Sequence, residues 1–333
     1  MFSYYIYGLT IASNYPITML LPTRARYSQV KIIFLGQECA TSRLTGHCDW
    51  QKTFDNGSET HRAQVWVADT GQGRYTRLHF SGLNEVNARE SHDFTIDPTA
   101  SQMWVTWTAP EQDMIAFLVG PVMAALQKLR GYTCLHASVV LIEDKCIAIL
   151  GTSGSGKSTT AFGLCQQGHP ILSDDLAVLM QQDTHFEVPF GYPRVRLLPK
   201  AAAHFLVPTE QLQRVFFEDK NAPDKYALDT LEQQTSPQKS SYPLAAIYVL
   251  AEREASLDRP FITPLPSKLG FTQVLQHTSV PHVANGVQRS KEFRMLGRVA
   301  ERVPLRRVHR PDNLNAISDV CNAIVEDAKQ LWK

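Results

Sequence analysis

Apolar and polar residues alternate with a period of two through the first third of the chain. Phe2 to Thr10, Val30 to Leu35, Ala63 to Ala68, Tyr75 to Phe80 and Met103 to Thr108 are short runs rich in β-branched and aromatic residues. Turn formers such as Asp55-Asn56-Gly57 and Gly71-Gln72-Gly73 separate them. Such runs are half-buried strands, so residues 1–110 are expected to form a β-rich N-terminal domain. Gln112 to Arg130 then reads as a helix that opens a second domain, 111–333. In it, Leu135 to Ile142 and Cys146 to Leu150 flank the turn Glu143-Asp144-Lys145, as in a hairpin of buried strands. Ser158 to Gln167 has helical character and stops at Gly168, with His169-Pro170 beyond it. Ile171 to Leu179 is a buried strand interrupted by two acids, and Leu244 to Leu250 is another. Residues 218–241 are polar without a period and are expected to form a mobile loop. Ser290 to Arg302 sets Phe293, Leu296 and Ala300 on one helical face. Asp312 is placed to cap a last helix carrying Leu314, Ile317, Cys321, Ile324 and Leu331. The mixture makes the fold class α/β.

Composition narrows the setting. The 333 residues, 44% of them hydrophobic, suffice for two domains. A net charge of +1 gives no attraction to nucleic acid or to a membrane surface, so neither is expected as a partner. The N-terminus lacks the basic start of a secretory signal. The apolar stretch Met114 to Leu126 is interrupted by Gly120 and Pro121 and is too short to span a bilayer. The six cysteines (39, 48, 134, 146, 165 and 321) include no CxxC pair, which suits a reduced cytoplasm rather than a disulfide framework. His47, Cys48 and Asp49 lack further residues at ligand spacing and read as a surface loop.

The strongest chemical signal is Gly151-Thr152-Ser153-Gly154-Ser155-Gly156-Lys157-Ser158, a complete GxxxxGK[ST] motif between a buried strand and a helix start. In that context the backbone N–H groups can surround a polyphosphate. Lys157 then reaches the β and γ phosphates, and Ser158 holds Mg²⁺. Thr159 follows directly and completes the nucleotide-binding stretch. Asp174 and Asp175 come on the strand after the loop's own helix, earlier than in most phosphate-loop NTPases. One carboxylate can hold Mg²⁺, and the other can take a proton from an attacking hydroxyl. Unpaired acids in so apolar a strand are otherwise costly. His136, at the start of the hairpin, is either a structural strand histidine or a partner of the acids. Arg194, Arg196 and Lys225 are candidates for charge stabilisation at the γ-phosphate, the alternative being solvated surface cations.

The order Leu135-His136, Gly151-xxxx-Gly156-Lys157-Ser158, Gly168-His169, Asp174-Asp175 resembles the catalytic domain of HPr kinase/phosphorylase over about residues 132 to 180. The resemblance implies an HPr kinase-like P-loop core related to phosphoenolpyruvate carboxykinase, with ATP and Mg²⁺ as cofactors. It implies Asp174 as catalytic base, His136 as its helper, and Lys157 and Ser158 as phosphate and Mg²⁺ ligands, with Asp175 taken as the metal-binding acid beside Ser158. Thr159 stands where the bifunctional enzymes carry an acid, and Phe190 to Leu197 stands where their signature glutamate is found. Their usual N-terminal domain is also missing. These departures argue against phosphorylase activity and against HPr as acceptor.

Four further stretches resemble the kinases that tailor lasso-type precursor peptides by phosphorylating a C-terminal serine. They are Tyr5-Ile6-Tyr7-Gly8-Leu9, Leu118 to Val122, Tyr192 to Leu197 and Arg302-Val303-Pro304-Leu305. The implied activity is an ATP-dependent serine kinase whose partner is a precursor peptide or small protein. A nucleotide-dependent ATPase switch and a small-metabolite kinase are the alternatives. A homo-oligomer remains open, because the bifunctional relatives are hexamers.

Overall fold

The computed structural model describes residues 1–17, 20–25, 27–36, 49–58, 61–83, 89–108, 111–208, 212–215, 225–230 and 239–333. It is a mixed α/β structure. Its contacts divide it into two compact units. One is Met1–Gly131 with Phe216–Ala222 and Val280–Gln288; the other is Tyr132–Val215 with Pro223–Ser279 and Arg289–Lys333. The helical segment after residue 110 thus has its contacts in the first unit. His47, Cys48 and the Lys225 side chain lie outside the described residues, as does most of 218–241.

The first unit carries one eight-stranded sheet. Its strands are β1 (Phe2–Ile6), β2 (Leu9–Ser13), β3 (Val30–Phe34), β4 (Gln51–Asp55), β5 (His61–Thr70), β6 (Gly73–Leu83), β7 (Arg89–Ile96) and β8 (Gln102–Trp107). They lie in the order β1-β2-β3-β8-β7-β6-β5-β4. Alternation buries Ile6, Ile11, Ile32, Phe94, Met103 and Val105 on one side. The first predicted strand, Phe2 to Thr10, is in fact a hairpin. Tyr7 and Gly8 take φ of 51° and 79°, and left-handed backbone at both central residues matches the twist of the flanking strands. The Gln127 side-chain amide donates to the Tyr7 carbonyl at 2.6 Å and so fixes this turn. Gln127 lies on α2 (Met123–Leu129), which follows α1 (Glu111–Phe117) and a π-helical turn, Leu118–Val122. Non-helical Gly120 (φ −100°, ψ −105°) and Pro121 break the predicted single helix there.

The second unit is built on β9 (Thr133–Leu135), β10 (Ser138–Ile142), β11 (Lys145–Leu150), β12 (Ile171–Ser173), β13 (Ala177–Gln181), β14 (Phe186–Pro189), β18 (Ser241–Glu254), β19 (Phe261–Pro264) and β20 (Leu305–Pro311). The main path runs β12-β10-β11-β18-β14-β13-β9, with β20 on β18 and β19 on β20. β11, β18 and β20 are mutually parallel. Near-continuous apolar runs bury all of β10 and all of β11 after Lys145, as in central strands covered on both faces. A separate small sheet holds β15 (Arg194–Leu197), β16 (Gln213–Val215) and β17 (Lys225–Asp229) in the order β15-β17-β16. β17 therefore occupies part of the stretch expected to be a loop. Its pattern is too short to stand out among polar neighbours.

Helix α3 (Lys157–Gln166) packs between the sheet and the last helix, past α4 (Pro199–His204), α5 (Ser267–Gln276) and α6 (Gly286–Arg302) in the chain, which is α7 (Ile317–Leu331). Phe162, Ile149, Tyr248, Val320 and Ile324 share this core. Two expectations about the tail are corrected. Phe293 is exposed, because the buried face of α6 runs through Leu296, Val299 and Ala300. Asn313, not Asp312, caps the last helical segment; its side chain accepts from the Asn315 N–H at 3.0 Å. Among the described residues no helix is long and apolar enough to cross a membrane.

The seat of α3 is a glycine contact. A Cβ on Gly163 would stand 2.8 Å from the Cys321 sulfur of α7. Gly163→Leu is therefore expected to destabilise the protein by about 1–3 kcal/mol through overpacking. Denaturant titration with unfolding followed by circular dichroism measures it; an unchanged midpoint would refute the close packing of α3 on α7.

Candidate active site

Parallel strands bring their carboxyl ends to one edge, where open α/β sheets place ligands. β11 delivers Leu150 to this edge, and the chain turns through Gly151–Gly156 into α3. The loop needs its glycines. Gly154 and Gly156 have φ of 76° and 101°, in the region that favours residues without a Cβ. A Cβ on Gly151 would lie 2.5 Å from the Ser155 Oγ, so the loop is wound tightly on itself. Lys157 is buried, and its Nζ donates to the carbonyls of Gly151 at 2.8 Å and Thr152 at 3.2 Å. The ammonium thus sits inside the loop's curve. Ser158 and Thr159 follow on the first turn of α3, both half-buried.

The acids stand at a break in the chain, not within one strand. Ile171 to Leu179 divides into β12, which pairs with β10, and β13, which pairs with β9. Between them Asp175 has φ 69°, which ends the β geometry. Asp174 is buried at 4% exposure. Its Oδ1 accepts from the Ser138 hydroxyl at 2.5 Å, and its Oδ2 is buried with no hydrogen-bond partner. Burial, followed by the neighbouring Asp175 charge, pushes the Asp174 carboxyl up to about 6; the Ser138 and Ser158 hydroxyls and Arg196 oppose that rise. Asp175 turns the other way. Its carboxylate pairs with the Arg196 guanidinium at 3.0 Å, and its carbonyl lies 3.1 Å from the His136 Nδ1.

His136 is held by its backbone N–H, which donates to the His277 carbonyl at 2.7 Å. Burial lowers the proton affinity of His136, and the Lys157 and Arg196 charges add to this, so it favours the neutral form. His277 is pushed down to about 4 by burial, with Lys157 and His136 contributing. The structure therefore gathers His136, Lys157, Ser158, Asp174, Asp175 and Arg196 into one site. Arg194, two residues before Arg196 on β15, donates to the Tyr192 hydroxyl at 3.2 Å instead. Among the described residues no group of three or more His, Cys, Asp or Glu side chains is placed to hold a metal by itself.

Four participants escape a reading of the sequence. Ser138 is the one polar side chain of an otherwise apolar buried strand, and that contrast was available as a signal. His277 comes from the end of α5 and reaches the site through the pairing of 277–279 with 134–136, which no local spacing announces. Arg253 and Arg310 reach the loop through strand pairing across a long separation.

The comparisons with known proteins bear on one short stretch. No family model matches the chain. HPr kinase/phosphorylase of Lactobacillus acidophilus is 41% identical over 49 residues, 15% of this chain and 15% of that protein. HPr kinase/phosphorylase 1 of Oceanobacillus iheyensis is 38% identical over 56 residues, 17% of this chain and 18% of its own. The likeness is to the HPr kinase family. The chain spans under a fifth of the length of these curated relatives. The solved HPr(Ser) kinase/phosphatase from Coxiella burnetii aligns with 60% of this chain and 99% of its own, at 12% identity and a TM-score of 0.33, a score too low to carry an argument.

The raised Asp174 carboxyl has a consequence for stability. Its folded value of about 6 lies above its ordinary 3.8, so the folded protein binds the proton more tightly. The contribution is complete below about pH 4 and is lost as pH climbs through about 6. With a chelator present, Asp174→Asn should raise the melting temperature at pH 8 and lose that advantage below about pH 4. A variant less stable than wild type at pH 8 would contradict the burial of an ionised acid.

Proposed function

We propose that this protein is an ATP-dependent kinase that phosphorylates a serine hydroxyl on a peptide or small protein. The observation that carries the reading is Asp174, an acid of raised proton affinity with one free oxygen, close to the Ser158 hydroxyl that opens the loop's helix. A general base is most effective when its proton affinity lies near the working pH, and burial beside a second acid achieves this for a carboxyl group. The short likeness to HPr kinase/phosphorylases, kinases by name, supports the same reading. Thr159 in place of an acid favours transfer in the kinase direction.

The roles follow from the chemistry of each group. The loop N–H groups cradle the α and β phosphates, and Lys157 reaches the β and γ phosphates. Asp174 accepts the proton of the acceptor hydroxyl as its oxygen bonds to the γ-phosphorus, and ADP leaves. Arg196 holds Asp175 in place, and neutral His136 supports the same turn through its contact with the Asp175 carbonyl. Ser158 and Asp175 offer the hard oxygen donors that suit Mg²⁺, and the orphaned Asp174 Oδ2 is a third. When bound, Mg²⁺ would supply charge neutralisation on the phosphates. The core is read as an HPr kinase-like P-loop fold related to phosphoenolpyruvate carboxykinase. The acceptor we favour is the C-terminal serine of a lasso-type precursor peptide, on the likeness of the four stretches outside the core.

One observation favours a second assignment within the same reaction. Ser158 acts on Asp174, so Asp174 could serve the metal and the less buried Asp175 the proton. A single variant separates the two. With Asp174 as base, Asp174→Asn should lower phosphoryl transfer at least about a hundredfold while Mg²⁺-dependent ATP binding stays within about threefold. Loss of Mg²⁺-dependent binding would move the metal role to Asp174. Radiolabelled ATP with a serine-ending peptide reads the product, and label appearing only as free phosphate would replace the kinase with an ATPase.

A further inference from the structure

Arg253 and Arg310 are direct cross-strand partners at the ends of parallel β18 and β20. Both reach the phosphate loop. A Cβ on Gly156 would stand 3.3 Å from the Arg253 Nη2 and 3.3 Å from the Arg310 Nη1. Two guanidiniums therefore converge on one backbone position, the residue that caps α3. The pairing is unfavourable by itself, because like charges opposite each other across strands repel. Arg310 bears the larger burden. It is 6% exposed, and its Nε and Nη2 share one carbonyl, that of Ala251. Its Nη1 lies beside Gly156 and makes no hydrogen bond among the described residues. Among the described residues neither arginine forms an ion pair with a carboxylate. Burial and the Arg253 charge push the Arg310 guanidinium down to about 10, and Asp312 only partly offsets them. A protein keeps two such cations together, one of them desolvated, where an anion comes to share them.

We infer that Arg253 and Arg310 form a guanidinium clasp for the α-phosphate of a nucleoside di- or triphosphate. The inference rests on the nucleotide reading of the site and extends it. The loop amides cradle the α and β phosphates and Lys157 reaches the β and γ phosphates, so the arginines add charged donors to an α-phosphate that the loop meets only with neutral amides. The arginines stand outside the loop's ring, at the carboxyl ends of the next two parallel strands. This is the crevice along which the nucleoside end of such a ligand lies in open α/β sheets. Gly156 then has two reasons to be glycine: its φ of 101° and the room that the guanidiniums need.

Calorimetric binding of ADP and of inorganic pyrophosphate to the full chain tests the clasp. Pyrophosphate offers the loop two phosphates but has no nucleoside end. Arg253 is exposed, so Arg253→Gln should fold. It is expected to weaken ADP binding about ten- to hundredfold, the range for a lost hydrogen bond to a charged group, and to change pyrophosphate binding less than about threefold. Arg253→Lys should recover part of the ADP affinity by restoring the charge without the fork. Unchanged ADP affinity in Arg253→Gln, or an equal loss for both ligands, would overturn the clasp and leave the nucleotide site standing. Failure of the wild type to bind either ligand would remove the nucleotide reading itself, and the clasp with it.

Discussion

A carboxylate kept out of water is the constraint around which the second unit is arranged. Asp174 is tolerable in its buried position only because several elements converge on it. β10 supplies the Ser138 hydroxyl, the first turn of α3 sets Ser158 beside it, and β15 carries Arg196 to the adjoining Asp175. Each of these elements is fixed by apolar burial elsewhere: β10 and β11 at the sheet centre, α3 against α7. The core sets the backbone to within the tolerance that a satisfied, then half-satisfied, acid requires. The free Oδ2 is the unsatisfied remainder, and buried polar atoms without partners gather where chemistry is done.

The break between β12 and β13 makes this possible. A continuous strand would send successive side chains to opposite faces. Here the chain leaves one partner strand, passes through a left-handed residue, and joins another. The two acids thus sit in different surroundings, one among hydroxyls in the interior and one on a guanidinium near the surface. Two carboxyl groups of equal chemistry thereby meet unequal surroundings, the usual way in which a site divides labour between identical side chains.

Much of this was legible in the residues and some was not. The phosphate loop, its flanking strand and helix, and the Asp pair depend on local spacing, which sequence displays directly. The Tyr7-Gly8 turn was obscured because both flanking strands share one alternation. The split of Ile171 to Leu179 was obscured because both halves are equally apolar, and only sheet partners distinguish them. Phe293 misled because a helix records its apolar residues whether or not a neighbour covers them. Arg253 and Arg310 were out of reach: they are 57 positions apart in a chain whose charges nearly cancel, and their meeting is a property of register.

That cancellation conceals a local imbalance. The net charge is +1, yet Lys157, Arg196, Arg253 and Arg310 stand around one edge of one sheet, against two acids of which one is raised towards neutrality. Cations focused at a crevice with low-dielectric walls make a field that reaches beyond contact distance. The net charge of +1 keeps the far field of the molecule weak. On the proposed reading, the field close to the site would orient and accelerate the arrival of a small polyphosphate, and dissolved salt would weaken it over about a Debye length. Selectivity for a compact anion over a long one would then begin in the diffusion step, before any hydrogen bond is made.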